Sequence, residues 1–237
     1  MIVLVIDTCD SRGSVAVLRD DCVLQLVVHG SSEDYSSWLL PAVGRVLETS
    51  GVVMDGVDGY AVAAGPGSFT GVRVGLTTVK AWGEVYGKRI AAVSRLEAIA
   101  MQGALGRSHV AAFVDAQRGQ VFGAVFQRKG EGLERLGEEM VIPSGKFIET
   151  ATELVKGGSI SWVSIDAAVL ASEENWKARE ARGEQIESIS SVLAPAVGRI
   201  GMRQLAAGRF TDALSLDANY VRRSDAEIFW KGAAHGG

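Results

Sequence analysis

Cysteine and proline are scarce in this sequence of 237 residues. Its two cysteines cannot build a disulfide framework, and its four prolines form no proline-rich linker. No apolar run approaches the roughly 18 residues of a membrane-spanning helix. The first apolar run, 2–6, is also too short for a signal peptide. We therefore expect a cytoplasmic protein in a reducing environment, without a membrane span.

A surplus of positive charge is missing as well. The chain has 24 basic and 28 acidic side chains, which gives a formal net charge of −4. A protein that holds nucleic acid by its own electrostatics needs a basic surface, so this balance argues against independent nucleic-acid binding. The three histidines, His29, His109 and His235, lie far apart in the sequence. Because no closely spaced pair of ligands occurs, we expect no metal site.

Glycine, by contrast, is abundant, with 29 residues. Four glycines fall within 65–75, a segment that begins Gly-Pro-Gly-Ser-Phe-Thr-Gly and lies between a predicted buried strand and a predicted helix. Backbone N–H groups in such a turn can bind an anion with help from the helix dipole. The candidate phosphate-binding or nucleotide-binding residues of this turn are Gly65, Gly67, Ser68, Thr70 and Gly71.

The same glycine-rich turn has a purely structural interpretation. A tight connection from strand to helix, in which Ser68 or Thr70 only caps the helix, fits the sequence equally well. The turn is not a Walker A loop, because no Lys-Ser or Lys-Thr follows its glycines. Both interpretations stay open.

The two halves of the sequence open in the same way. Each begins with an apolar strand ending in an aspartate, Asp7 or Asp115, and continues with a turn that closes on Arg-Gly and a second strand. This repeat predicts a duplicated α/β protein with an N-terminal lobe, 1–104, and a C-terminal lobe, 105–237. Such a two-lobed arrangement is the architecture of actin, the sugar kinases and the Hsp70 nucleotide-binding domain. We expect a terminal helix over 190–208 to pack back across the lobe boundary, followed by a loose tail.

Asp7 and Asp115 are candidate cleft carboxylates. Each follows a buried strand, and α/β folds place ligands at the carboxyl ends of their strands. In the two-lobed folds, the matching turns face the phosphates and metal of a nucleotide. Thr8, beside Asp7, is a candidate phosphate contact. The alternative for each aspartate is an Asx-turn that only closes the local backbone.

Hydrophobic periodicity assigns most of the remaining chain. The predicted strands are 2–6, 15–18, 23–28, 59–64, 90–93, 110–114, 121–126, 162–165 and 186–189. The predicted helices are 34–49, 72–86, 94–104, 167–182 and 190–207. Between 127 and 161 the pattern shows no more than a charged turn.

The helices over 34–49 and 72–86 are apolar on more than one stripe. This pattern fits helices sandwiched in a core, and it also fits helices that carry a partner. The candidates for a partner surface are Trp38, Leu39, Val43, Val46, Val72, Gly75, Leu76, Val79 and Trp82.

Five motifs in a fixed order resemble one known family. They are Ile-Asp-Thr at 6–8, Leu-Leu-Pro at 39–41, Gly-Pro-Gly-Ser-Phe-Thr-Gly-Val-Arg at 65–73, Ser94 with Leu-Glu at 96–97, and Asp-Ala-Gln-Arg-Gly at 115–119. Together they are similar to the TsaB (YeaZ) family of bacterial tRNA threonylcarbamoyladenosine biosynthesis proteins. The resemblance is strong over the first 125 residues and weak beyond them, and the glycine-rich motif is its most specific part.

The resemblance implies a non-catalytic scaffold subunit rather than an independent enzyme. Members of the family have the actin/Hsp70-like fold and pair with a paralogue, TsaD, that carries the metal site. With the ATPase TsaE, they transfer a threonylcarbamoyl group from threonylcarbamoyl-adenylate to the adenosine next to the anticodon of tRNAs reading ANN codons. The family implies no cofactor of its own beyond a weakly bound adenine nucleotide, and contact with tRNA through the complex.

Partner docking in the family uses the two helices of the N-terminal lobe, which match 34–49 and 71–86 here. Homodimers through the same helices are implied when the partner is missing. On this basis Leu39→Glu or Val72→Arg should abolish the complex with the paralogue while leaving the monomer folded.

This sequence departs from the family pattern at two places. Asp-Tyr-Ser-Ser at 34–37 replaces the His-Ser of many relatives, and Ala218 replaces the proline of the C-terminal Pro-x-Tyr-x-Arg motif.

Two other functions remain as alternatives. One is an ATP-dependent phosphotransferase of the sugar-kinase fold that uses Asp7 and the glycine-rich turn. The other is a metallopeptidase, although this sequence lacks the metal ligands that such an enzyme needs.

Overall fold

The computed structural model of the chain describes residues 1–30, 33–104, 106–130, 132–219 and 221. The strands are β1 (Ile2–Asp7), β2 (Ser14–Arg19), β3 (Cys22–Val28), β4 (Gly59–Ala63), β5 (Arg89–Val93), β6 (His109–Asp115), β7 (Gln120–Lys129), β8 (Gly132–Pro143), β9 (Ile160–Ser164) and β10 (Ile186–Ser188). The α-helices are α1 (Tyr35–Ser50), α2 (Phe69–Tyr86), α3 (Arg95–Ala100), α4 (Ser144–Val155), α5 (Ala168–Ala171), α6 (Glu174–Glu180) and α7 (Ala194–Ala206).

Two five-stranded sheets share one topology. The first has the order β3-β2-β1-β4-β5, and the second has the order β8-β7-β6-β9-β10 when it is read in the same direction. In each sheet the first three strands of the half are antiparallel neighbours and the last two are added in parallel. This strand-for-strand correspondence is what the Asp-turn-Arg-Gly repeat predicts.

The first sheet lies between helices on both faces. Alternate residues of a strand point to opposite faces. A Cβ on Gly75 of α2 would approach Ile6 and Val62, whereas a Cβ on Gly201 of α7 would lie 2.5 Å from the Cβ of Ala61. The helix α7, from the end of the described chain, thus covers the face opposite α2.

The second sheet has its own apolar layer. Its α4 packs on β7, where a Cβ on Gly123 would lie 2.3 Å from the ring of Phe147. Trp162 of β9 and Trp176 of α6 pack against each other in the same cluster, with ring centroids 5.5 Å apart. The helix α3 contacts β6 and β7 as well as α7. Of the described helices, none is long and apolar enough to cross a membrane.

The predicted elements differ from the structure mainly in the second half. Both β8 and α4 lie where the sequence indicated only a charged turn. In β8 the exposed residues Glu134, Arg135 and Glu138 interrupt the half-buried apolar residues, so no apolar run marks the strand. The helix predicted over 167–182 is two short helices, α5 and α6, separated at Ser172 and Glu173. The helix predicted over 94–104 ends at Ala100, and the terminal helix begins at Ala194, with Pro195 in its first turn. Most of the expected loose tail lies outside the described residues.

Candidate functional site

The glycine-rich turn between β4 and α2 is joined by hydrogen bonds to the turn that follows β1. The Ser68 amide donates to the Cys9 carbonyl over 2.6 Å. The Thr8 hydroxyl donates to the Gly71 carbonyl over 2.7 Å. Ser68 also caps α2, because its hydroxyl accepts from the Gly71 amide at 3.3 Å. Two of the hydroxyls offered as phosphate contacts are therefore engaged within the protein.

Close contact with the turn that follows β1 accounts for three of the glycines. A Cβ on Gly67 would lie 2.3 Å from the Cys9 carbonyl oxygen, and a Cβ on Gly71 would lie 2.1 Å from that of Thr8. A Cβ on Gly75 would lie 2.6 Å from the Thr8 hydroxyl oxygen. Atoms of the neighbouring turn occupy the space that side chains at these three positions would need. Gly65, the first glycine, has φ of +106°, in the region that glycine adopts readily.

The two aspartates close turns of similar form. Asp7 is 1% exposed, and its Oδ1 accepts from the Cys9 amide two residues on at 3.0 Å. Asp115 accepts from the Gln117 amide at 2.7 Å and from the Gln117 side chain at 2.7 Å. Both therefore make the Asx-type contact that the sequence allowed as the alternative. Burial raises the pKa of Asp7, and the charge of Arg95 opposes that rise. Thr8 is also 1% exposed.

An ion-pair network, the turn network, links the two turns. It consists of Asp10, Arg12, Arg95 and Asp166, around Asp7 and Asp115. Arg95, at 2% exposure, pairs with Asp10. Arg12 pairs with Asp10 at 2.5 Å and with Asp166 at 2.8 Å. Asp166 also accepts from the Asp115 amide at 3.0 Å.

The network is strongly coupled. Burial opposes ionisation of Asp10, but Arg95 and Arg12 outweigh it and lower the pKa of Asp10 to about 2. The pKa values of both Arg12 and Arg95 are raised, because the neighbouring carboxylates outweigh the effect of burial. Asp10, Arg12 and Arg95 are therefore held ionised by their neighbours.

Sequence reasoning did not assign a role to any of the four network residues. Arg12 belongs to the Arg-Gly step of the repeat, which was the one signal that could have drawn attention to it. Asp10, Arg95 and Asp166 are far apart in the sequence, and only the fold brings them together.

The side chain of His29 is engaged in contacts within the protein. His29 contacts the backbone oxygens of Ser11 at 3.0 Å and Glu33 at 2.8 Å, and its ring packs against Tyr35 and Trp38. Within the described ranges, no group of three or more His, Cys, Asp or Glu side chains is placed to hold a metal ion. His235 lies outside those ranges.

The residues named as a partner surface lie mostly in the core. Eight of the nine are buried: Trp38, Leu39, Val43, Val46, Val72, Gly75, Leu76 and Val79. The ninth, Trp82, is half-buried and packs on Tyr60. Leu39 is 2% exposed and Val72 is 3% exposed, so a charge at either position would disrupt the fold. The expectation that Leu39→Glu and Val72→Arg leave the monomer folded is therefore wrong.

A different face of α1 and α2 is accessible. Each helix has a stripe at helical spacing that carries no charged residue, and the two helices contact each other. The α1 stripe is Ser37, Leu40, Gly44 and Leu47, and the α2 stripe is Val74, Thr77, Ala81 and Val85. Leu40 is 60% exposed and Val85 is 75% exposed. We call these eight residues the outer helix face.

Comparisons with known proteins agree with one another. A family described as "TsaD: tRNA N6-adenosine threonylcarbamoyltransferase" matches residues 29–207. The tRNA threonylcarbamoyladenosine biosynthesis protein TsaB of Bacillus subtilis is 31% identical over 153 residues, which are 65% of this chain and 67% of that protein. TsaB of Escherichia coli is 30% identical over 168 residues, covering 70% and 71% of the two chains.

Solved structures confirm the fold. YeaZ from Pseudomonas aeruginosa superposes with a TM-score of 0.71 at 23% identity, over 92% of this chain and 99% of that one. A ROK hexokinase from Thermus thermophilus superposes with a TM-score of 0.53 at 12% identity, over 86% and 100% of the chains. The two-lobed α/β fold shared with the sugar kinases is thereby confirmed. With two TsaB proteins at 30% identity or more over most of its length, this chain belongs to the TsaB (YeaZ) family of tRNA threonylcarbamoyladenosine biosynthesis proteins.

Proposed function

We propose that this chain is a non-catalytic subunit in tRNA threonylcarbamoyladenosine biosynthesis. It supports a TsaD-type paralogue that transfers the threonylcarbamoyl group from threonylcarbamoyl-adenylate to tRNA adenosine. The observation that carries this proposal is the match to two TsaB proteins along most of the chain. The match of 29–207 to the TsaD family agrees with a paralogous pair.

The geometry of the two turns supports a subunit without its own nucleotide. Asp7 and Thr8 are buried, and Thr8 is hydrogen-bonded to the backbone of the glycine-rich turn. Between the turns, Arg12 joins Asp10 to Asp166. A phosphate entering there would meet two carboxylates that already neutralise the nearest guanidinium, so the site offers it little net attraction. Catalysis in the complex then depends on the paralogue.

The outer helix face is the surface we assign to the paralogue. Its exposed residues are uncharged and mostly small, so the backbones of two helix pairs can approach closely. Packing this face against two helices of a paralogue would form a four-helix arrangement. Leu40 and Val85 supply large apolar contacts, whose burial would stabilise the complex. A second copy of this chain could occupy the same face when the paralogue is absent.

The remaining partners follow from the same proposal. A TsaE-type ATPase joins the pair, and tRNA is bound through the assembled complex rather than by this chain alone. The net charge of −4 supports that division, because tRNA binding requires a basic surface.

Substitutions on the outer helix face test the proposal. Leu40→Glu and Val85→Glu each place a charge where the partner would pack, and neither position is buried in the isolated chain. We expect each variant to keep the wild-type melting temperature, to lose co-elution with the paralogue, and to lose support of tRNA threonylcarbamoylation in a reconstituted assay. The matched control is Leu214→Glu, because Leu214 is 85% exposed and lies outside both helices.

Each part of the proposal has a result that contradicts it. If the wild-type chain neither binds the paralogue nor raises tRNA modification, the assignment to the complex is wrong. If both helix variants still co-elute, the complex forms through another surface. ATP hydrolysis or sugar phosphorylation by the isolated chain would overturn the non-catalytic role and favour a phosphotransferase.

A further inference from the structure

His29, the residue that follows β3, lies between two backbone carbonyl groups. Its Nδ1 is 3.0 Å from the carbonyl oxygen of Ser11, in the turn after β1. Its Nε2 is 2.8 Å from the carbonyl oxygen of Glu33, just before α1. The imidazole ring therefore joins the turn after β1 to the segment that leads into α1.

These two contacts require a donor at both ring nitrogens. A carbonyl oxygen only accepts, and a neutral imidazole has a single N–H, whereas the imidazolium donates from both nitrogens. In the neutral form, one nitrogen lone pair would face a carbonyl oxygen without a proton between them. Water has little access to relieve that contact, because His29 is 9% exposed and the rings of Tyr35 and Trp38 pack on it, with centroids 4.4 Å and 4.9 Å away. The geometry therefore fits the charged form of His29.

The charges near the ring do not oppose a cation there. The ionisable side chains of the two segments packed on it are Asp7, Cys9, Asp10 and Arg12 on one side and Glu33, Asp34 and Tyr35 on the other. Arg12 and, from α3, Arg95 are both paired with Asp10. The Tyr35 hydroxyl donates to the Asp10 carbonyl. Carboxylates outnumber guanidinium groups in these two segments, and a neighbouring carboxylate favours the charged form of a histidine.

We propose that His29 is a pH-sensitive clamp on the start of α1, closed when the imidazole is protonated and released when its second proton passes to solvent. The clamp is present at acidic pH and is lost as the pH rises through the range in which histidine titrates, about pH 5–8. Tyr35 and Trp38, which hold the ring, lie in the same turns of α1 as Ser37 and Leu40 of the outer helix face. Release therefore loosens the partner surface. This link to a partner rests on the proposed function, but the clamp itself does not.

Nitrogen-15 NMR of the full chain with labelled histidine tests the clamp. At about pH 5.5 we expect two protonated ring nitrogens for His29, each with an N–H signal protected from exchange, and at about pH 8.5 only one. Their loss in His29→Gln identifies these signals. His109 is the internal control, because its Nδ1 contacts the Ser108 hydroxyl at 3.0 Å and a hydroxyl can donate or accept. A folded chain at pH 5.5 in which one ring nitrogen of His29 carries no proton would overturn the proposal.

Binding of the paralogue at the same two pH values measures the effect on the partner surface. We expect the dissociation constant of the wild-type chain to rise at least about fivefold from pH 5.5 to pH 8.5, the low end of coupling between sites. His29→Gln, which takes up no proton at this position, should lose most of that rise, and His109→Gln should keep it. An equal rise in wild type and His29→Gln would overturn the link between the clamp and the partner surface. If the wild-type chain does not bind at either pH, the proposed function is wrong instead, and the NMR result still decides the clamp.

Discussion

Two carbonyl oxygens, those of Thr8 and Cys9, decide what the glycine-rich turn can be. They occupy the positions that Cβ atoms at Gly71 and Gly67 would need. An anion held by this turn would have to displace a strand end that is itself hydrogen-bonded in place. The glycines therefore serve contact between two backbone segments, and their loss should be felt in stability.

Gly71→Ala and Gly44→Ala form a matched pair that tests this interpretation. Both residues lie in helices, but a Cβ on Gly71 would lie 2.1 Å from the Thr8 carbonyl oxygen, whereas a Cβ on Gly44 meets nothing within 4 Å. We expect Gly71→Ala to lower the free energy of unfolding by about 1–3 kcal/mol through overpacking. Gly44→Ala should leave it unchanged or raise it by up to about 1 kcal/mol through helix propensity. Urea unfolding monitored by circular dichroism measures both, and equal stabilities of the two variants would contradict the packing role.

This turn also shows where sequence reasoning has to stop. The pattern Gly-x-Gly-x-x-x-Gly indicates that there is no room for side chains at these three positions. It does not indicate whether a ligand or another segment of the chain lies against the glycines. The answer depends on the approach of Thr8, which is 63 residues away from Gly71 in the chain. The same holds for Arg95, whose partner Asp10 is 85 residues away.

The connection from β1 to β2 is held by charge as well as by backbone contact. Arg95, from the first turn of α3, is buried beside Asp10 and acts on Asp7. Because a buried guanidinium must be compensated, each of these carboxylates helps to fix α3 against the first sheet.

Asp10→Asn should reveal this contribution through pH. The pKa of Asp10 falls from 3.8 to about 2 in the folded chain, so its ionised form stabilises the fold at pH values above 3.8. That stabilisation is lost as the pH falls toward 2, where the carboxylate takes up a proton in both states. We expect Asp10→Asn to cost about 2 kcal/mol at pH 6 and about half as much at pH 3. Urea unfolding at both pH values measures the difference.

The control for this prediction is Asp34→Asn. Asp34 is exposed at the start of α1, and its side chain makes no capping hydrogen bond. Its substitution removes no ion pair or capping hydrogen bond and should change stability little. If the cost of Asp10→Asn does not decrease between pH 6 and pH 3, the ion pairs of Asp10 do not stabilise the fold in the way the geometry indicates.

The central strands of the first sheet could be predicted because nearly all of their residues are buried. The strands β1 and β4 are short apolar runs that end at turn residues, which is the pattern of central strands. By contrast, β8 is an edge strand with exposed glutamates, so its local sequence resembles a turn. For α1 and α2, periodicity located the helices correctly, but it could not distinguish the stripe that packs on the sheet from the outer helix face.

The complete molecule is held together by a helix that returns across it. The two sheets repeat one topology, yet α7 packs on β1, β4 and β5 of the first sheet although it follows the second sheet in sequence. Gly198 and Gly201 of α7 allow this contact, since their Cβ atoms would lie 2.7 Å from Leu18 and 2.5 Å from Ala61. The face of the first sheet opposite α1 and α2 is therefore covered only when α7 is present.

A fragment containing only 1–104 should not reach the native fold by itself. It keeps all five strands of the first sheet but lacks α7, so Val5, Leu18 and Ala61 would face water, and the exposed apolar surface would favour aggregation. We expect a fragment spectrum with poor amide dispersion that sharpens when a peptide covering 190–208 is added. The same peptide with Gly201→Val should not restore it, because the added side chain would collide with Ala61. A well-dispersed spectrum and a cooperative unfolding transition for 1–104 without any peptide would show that the first sheet folds independently of α7.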